Sequence, residues 1–122
     1  MKSLQDTILT PIISSANRTS TNVDMRNMVS FSLQAIAGIG SCAGTIQAQV
    51  SNDPCPGTFS SFVPVNWSNL GSPLTFTQSS TASNQLLPKV DSSYTALRAI
   101  FTDSSGGTNT ALISLQFSGL GL

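Results

Sequence analysis

The chain of 122 residues contains no histidine and no glutamate, and only ten of its side chains carry a charge. Histidine is the commonest general acid or base and a leading zinc ligand, and it activates the nucleophile in many hydrolases. Most acid/base, nucleophilic and metalloenzyme schemes therefore cannot be built from these residues. We predict that the chain is not an enzyme and that it binds no metal ion and no cofactor.

Charge of either sign is also scarce. Charged residues make up 8% of the chain and the formal net charge is zero, against a usual charged fraction of about 25%. With no basic field to attract phosphates, nucleic-acid binding is disfavoured. Because a net charge near zero removes repulsion between copies, the composition favours a homo-oligomer or docking into a larger assembly.

Long hydrophobic runs are missing as well. Residues 1–13 hold a short apolar patch that Asp6 and Pro11 interrupt, which is too short and too polar for a signal-peptide core or a membrane span. We predict mature sequence made in a cytoplasm, with no membrane partner. The two cysteines, Cys42 and Cys55, lack metal-site spacing. Either one disulfide across neighbouring strands or two buried free thiols fits the sequence.

Hydroxyl and amide side chains are what the chain has in excess: 49 of its 122 residues are Ser, Thr, Asn or Gln. Leu, Ile, Val and Phe still number 32, which lies above the level of about 20% below which chains tend to stay disordered. The length matches one domain. We therefore expect a single folded core with a polar, uncharged surface.

Apolar and polar residues alternate with a period of two in 29–35, 45–50 and 111–117, and shorter apolar segments occur at 74–77, 86–90 and 94–102. Alternation over short segments between Gly, Pro and Asn turns is typical of half-buried strands. We predict an all-β fold, an antiparallel β-sandwich of jelly-roll or Ig-like type with about six to eight short strands. Adjacent strands are expected to form antiparallel hairpins, 29–35 with 45–50 and 94–102 with 111–117.

Residues 1–27 show no such pattern and predict an extended N-terminal arm, which leaves 28–122 as the sandwich domain. At about 3.3 Å per residue, an extended arm of this length reaches on the order of 80 Å. Such an arm would be disordered alone and ordered on a neighbouring subunit.

Five side chains are candidate interface or recognition residues: Phe59, Phe62, Trp67, Tyr94 and Arg98. Trp67 is either a core or end-capping residue or, with Tyr94, a platform on which a sugar stacks. Arg98 either faces solvent or a partner, or is buried in a salt bridge with a carboxylate such as Asp53. Asp53 itself is expected to accept a backbone N–H in an Asx-type turn, the alternative being one ligand of a calcium site.

Three blocks resemble a known group of proteins. They are 44–53 (GTIQAQVSND), 67–73 (WSNLGSP) and 94–102 (YTALRAIFT) with 105–108 (SGGT). Together they are similar to the small β-sandwich structural proteins of tailed-bacteriophage particles, over residues 29 to 118. The resemblance implies a virion protein: a capsid decoration or cement protein, a head fibre or a tail accessory protein.

The resulting prediction is a capsid cement protein that stabilises the shell through sandwich contacts and the arm, with the major capsid protein or another virion protein as partner. It would be made in the host cytoplasm and end in the virion. The alternative is a tail or head-fibre accessory module that recognises surface carbohydrate through Phe59, Phe62, Trp67 and Tyr94.

Overall fold

Two antiparallel β-sheets packed face to face form the fold in the computed structural model, which describes residues 2–121. The first sheet has the strand order β1 (Lys2–Ile13), β10 (Leu112–Gly121), β4 (Met28–Ala37), β8 (Ser83–Asp91). The second sheet is built on β9 (Ala96–Asp103) and β5 (Cys42–Ser51), flanked by β2 (Arg18–Thr19), β3 (Val23–Asp24), β6 (Ser68–Asn69) and β7 (Leu74–Gln78). The predicted all-β sandwich is confirmed.

Helical structure is limited, within residues 2–121, to one 3₁₀ turn at Phe59–Ser61. None of the described residues forms a helix long and apolar enough to cross a membrane.

The core lies between the sheets because alternate residues of each strand point inward. In β4 and β10 the polar residues Gln34 and Gln116 face outward, while Phe31 and Phe117 turn inward with ring centroids 6.1 Å apart. Burial of a large apolar side chain stabilises the fold by about 1.5–3 kcal/mol. The other large side chains that are almost fully buried are Ile8, Met25, Leu33, Ile46, Phe76, Leu97, Phe101, Ile113 and Leu115.

The predicted hairpins are wrong, although their strands are present. β4 pairs with β10 and β8, whereas β5 pairs with β6, β7 and β9, so the two successive strands lie in opposite sheets. The same is true of β9 and β10. Their connections, 38–41 and 104–111, cross from one sheet to the other and bond to each other: Ser41 O accepts the N–H groups of Thr110 and Ala111 at 3.0 and 2.9 Å. The two connections therefore provide each other with backbone hydrogen-bond partners, as the two strands of a hairpin would.

The predicted N-terminal arm is also corrected, because residues 2–13 are a strand of the first sheet. β1 pairs with β10 from Lys2 opposite Gly121 to Ile13 opposite Leu112. Two register shifts, between Thr7 and Leu9 and between Leu9 and Ile12, break the period-two pattern. The division of the chain at residue 27 is therefore not a boundary between an arm and a sandwich.

The two cysteines are both free. Cys42 is buried in the core, where burial raises the pKa of its thiol above the ordinary value. Cys55 lies in the long connection between β5 and β6, so the two thiols belong to different parts of the fold. The disulfide alternative is excluded in this structure.

Candidate recognition surface

A polar row crosses the outer face of the second sheet. Arg98 of β9 lies opposite Gln49 of β5, which lies opposite Asn69 of β6. The Arg98 Nε donates to Gln49 Oε1 at 2.9 Å, and Gln49 Nε2 donates to Asn69 Oδ1 at 3.0 Å. The three strands thus hold one connected row of hydrogen bonds.

Trp67 covers the end of this row. The Arg98 guanidinium carbon lies 4.3 Å from the centre of the Trp67 ring, a close cation–π contact. Partial burial lowers the pKa of the Arg98 guanidinium from its ordinary value. The predicted salt bridge with Asp53 is wrong, because Arg98 takes an amide oxygen and an aromatic face instead. Trp67 is half-buried on the outer surface and is not a core residue.

A long loop beside the row carries an apolar tip. We call residues 54–67 the apolar loop. It has no charged side chain, and neither does the rest of the chain as far as Pro88. Val63 and Val65 are 78% and 77% exposed, and behind them Phe59 and Phe62 contact each other edge to face with centroids 5.8 Å apart. The loop therefore presents apolar groups to solvent and contains no charged side chain of its own.

One carboxylate holds the C-terminal end of the apolar loop. Asp53 Oδ2 accepts the N–H groups of Val65 and Asn66 at 2.8 and 2.9 Å, and Oδ1 accepts Asn66 Nδ2 at 2.9 Å. These bonds favour the ionised form and hold the pKa of Asp53 below its ordinary value. Asp53 is a backbone N–H acceptor as predicted, but the two N–H groups lie 12 and 13 positions along the chain, so Asp53 closes the apolar loop and does not form an Asx-type turn.

One guanidinium holds the N-terminal end. Arg26 Nη1 donates to Gly57 O at 3.1 Å and contacts Cys55 Sγ at 3.6 Å, and its guanidinium carbon lies 5.7 Å from the Phe59 ring centre. Asp24 fixes Arg26 in a two-point salt bridge of 2.9 and 2.7 Å, which holds the pKa of Asp24 below its ordinary value. Two charged groups outside the apolar loop therefore set its conformation.

Tyr94 lines a depression of about 350 Å³, and Trp67 is not among the residues that line it. Polar side chains form most of its wall, among them Asn52, Asp53 and Asn66. Of the predicted recognition residues, the structure brings Trp67 together with Arg98 and Phe59 together with Phe62, while Tyr94 faces the depression. The structure does not place Trp67 and Tyr94 on one surface: the Trp67 ring contacts the Arg98 guanidinium, and Tyr94 lines the depression.

The sequence prediction missed four residues that matter here: Arg26, Asn52, Val63 and Val65. Arg26 acts on a loop about thirty positions away, and sequence spacing gives no signal of that contact. Val63 and Val65 flank Pro64, and both side chains lie outside the core, 78% and 77% exposed.

No three His, Cys, Asp or Glu side chains among residues 2–121 cluster as a metal site would require. Comparison with models of known protein families and with curated proteins finds no match for this chain.

Proposed function

We propose that the chain is a structural protein that docks on a larger assembly through the apolar loop, and that this assembly is the shell of a bacteriophage particle. The observation that supports docking is the exposure of Val63 and Val65, 78% and 77%, on a loop that Asp53 and Arg26 hold in one conformation. A preorganised apolar surface binds without a large ordering cost.

The surface around the apolar loop supports the same proposal. Charged residues are depleted at the centre of protein interfaces, and aromatic residues are enriched there. The uncharged stretch from Pro54 to Pro88, with Phe59, Phe62 and Trp67 at one end, has that composition. We expect the shell subunit that binds this loop to present an uncharged apolar cleft. A charged side chain of that subunit, buried against the loop, would cost free energy because it would lose its hydration.

The phage shell as the partner, and a cement role in the virion, rest on the sequence resemblance over residues 29 to 118. A homo-oligomer is part of the same proposal, and the net charge of zero supports it because copies of the chain do not repel one another. The arm has no part in this proposal, since β1 (Lys2–Ile13) is paired along β10.

The test is co-sedimentation of the purified protein with purified particles of the phage that encodes it, after removal of the endogenous copy. We expect the unmodified protein to sediment with the particles. The double variant V63S/V65S is expected to lose most of this binding and remain folded by circular dichroism, because both side chains are exposed.

The matched control is Ile39→Ser, since Ile39 is 83% exposed and lies outside the apolar loop. This variant should bind like the unmodified protein. Unmodified protein that stays in the supernatant would refute the phage shell as partner. Equal binding by V63S/V65S and the unmodified protein would refute docking through the apolar loop.

A further inference from the structure

The depression beside Tyr94 has unused hydrogen-bonding groups around it. The Asn52 amide, the Ser68 hydroxyl and the Tyr94 hydroxyl line it and have no protein hydrogen-bond partner among residues 2–121. Asp53 adds a carboxylate whose two oxygens accept three hydrogen bonds and offer about four acceptor sites in all. Donors and acceptors therefore converge on one space of about 350 Å³.

The shape and the chemistry of this space limit its occupant. Its volume of about 350 Å³ lies at the lower end of the range of about 300–1,000 Å³ that ligand sites in proteins occupy, which matches one small molecule. Tyr94 and Val50 also line the depression, and a tyrosine ring offers an apolar surface with a polar tip. A sugar matches such a lining because it combines an apolar face with several hydroxyl groups.

We propose that this depression binds a single neutral sugar residue, with Tyr94 against its apolar face and with Asn52, Asp53 and Ser68 on its hydroxyl groups. The site is distinct from the apolar loop tip, so the proposal is independent of docking on a shell. The Asp53 carboxylate serves as the charged acceptor, and it disfavours acidic sugars because two carboxylates would be brought together.

Backbone rigidity supports the site. Asp53 is anchored by Val65 and Asn66, and its own N–H donates to Ser51 Oγ at 3.1 Å. The hydrogen bonds that close the apolar loop thus also fix the carboxylate that faces the depression. Because these residues are already ordered, a sugar would bind with only a small entropic cost of ordering the site.

The experiment is an NMR titration of the ¹⁵N-labelled full chain with glucose, galactose, N-acetylglucosamine and glucuronate. We expect saturable shifts confined to residues 51–53, 66, 68 and 94 for at least one neutral sugar, with a dissociation constant on the order of 1 mM. Glucuronate is expected to give none. Absence of saturable shifts with all neutral sugars would overturn the proposal, as would saturable shifts centred on Trp67 and Arg98.

Variants separate binding from folding. Asn52→Ala removes an exposed side chain without protein hydrogen bonds and is expected to weaken sugar binding several-fold; Tyr94→Ala should weaken it about tenfold. The control Asn84→Ala, an exposed amide in β8 on the other sheet, should bind normally. If Tyr94→Ala is unfolded, Asn52→Ala decides, and normal binding by a folded Asn52→Ala variant would count against the site.

A free sugar and the end of a cell-surface glycan share this chemistry. The methyl glycoside of the best sugar distinguishes the two sources. Equal affinity for the glycoside and the free sugar indicates a glycan end, and binding of the free reducing sugar alone indicates a small metabolite.

Discussion

Two loops at different places in the sandwich are each held by one aspartate that accepts hydrogen bonds from the loop. The loops differ in their polarity and in their attachment to the core. Asp53 closes the apolar loop, residues 54–67, through three hydrogen bonds. Asp103 closes a polar loop, residues 104–110, by accepting the N–H groups of Ser105 and Gly107 at 2.8 and 2.9 Å, together with the Ser105 hydroxyl.

The two loops differ in what lies behind them. The polar loop is tied to the core by Asn109, a buried amide that donates to Ser14 O, Ala43 O and Asp103 Oδ1 and accepts the Ala43 N–H. The apolar loop buries only Pro64. An aspartate that accepts N–H groups of a loop therefore contributes to the stability of the fold at one place and to the shape of an exposed surface at the other.

The largest effect on stability is expected from Asn109→Ala. It removes the side-chain donor to the buried Ser14 carbonyl and the acceptor of the Ala43 N–H, so we expect the free energy of unfolding to fall by about 2–3 kcal/mol. Urea denaturation measures this loss. Thr108→Ala, an exposed hydroxyl of the same loop, is the control and should cost under about 1 kcal/mol. Similar losses for both variants would mean that the polar loop is not anchored in the core.

Replacing each aspartate with asparagine compares the contributions of the two loops to stability. In Asp103→Asn and Asp53→Asn, an amide NH₂ replaces an oxygen that accepts hydrogen bonds, so both loops loosen. We expect the Tm to fall further for Asp103→Asn, because its loop is continuous with Asn109 and the core. Thermal unfolding at neutral pH provides the measurement. Equal decreases in Tm for the two variants would show that the polar loop contributes no more to stability than the apolar loop.

Acid should act on both loops together. The pKa of Asp53 and that of Asp103 are held below the ordinary value of 3.8 by hydrogen bonds to the ionised carboxylate. Their stabilisation is complete above that value and is lost as the pH falls through the lower folded-state pKa. We expect a constant Tm from about pH 7 to 5 and a decline below about pH 4. The D53N/D103N double variant should decline less steeply; an unchanged slope would point to other groups, such as Asp24.

The smallest effect on stability is expected from Arg26→Gln, which releases the N-terminal end of the apolar loop. The Tm should barely change because the Arg26 side chain is exposed, while chymotrypsin should cleave the loop near Phe59 and Phe62 faster. Arg18→Gln is the control, since Arg18 bonds to Ile13 O far from the loop. Unchanged cleavage in Arg26→Gln would show that the guanidinium does not hold the loop.

The strands were predictable from sequence where one face of the strand is buried and the other is exposed to solvent. Residues 29–35 and 45–50 lie inside β4 and β5, and all but the first residue of 111–117 lie inside β10, because alternation of apolar and polar residues reflects burial of one face of a strand. Their partners were not predictable, since alternation says nothing about which strand lies alongside. β1 escaped prediction because it is an edge strand with two register shifts and has one fully buried side chain, Ile8.

The candidate site was predictable only in part. Aromatic residues in a loop rich in Pro and Ser pointed to Phe59, Phe62 and Trp67. The groups that shape the loop could not be found this way, because Asp53 and Arg26 act across 12 to 31 positions. One of the two alternatives for Arg98 was a salt bridge with a carboxylate. In the structure its guanidinium contacts the Gln49 side-chain oxygen and the Trp67 ring instead.

The crossing connections make the folding of this chain strongly non-local. The chain changes sheets from β4 to β5, β7 to β8, β8 to β9 and β9 to β10. β10 lies between β1 and β4 in the middle of its sheet, so the pairing of β1 with β10 joins the two ends of the described residues. The first sheet is therefore completed only by contacts between residues far apart in the sequence, and we expect folding to be slow.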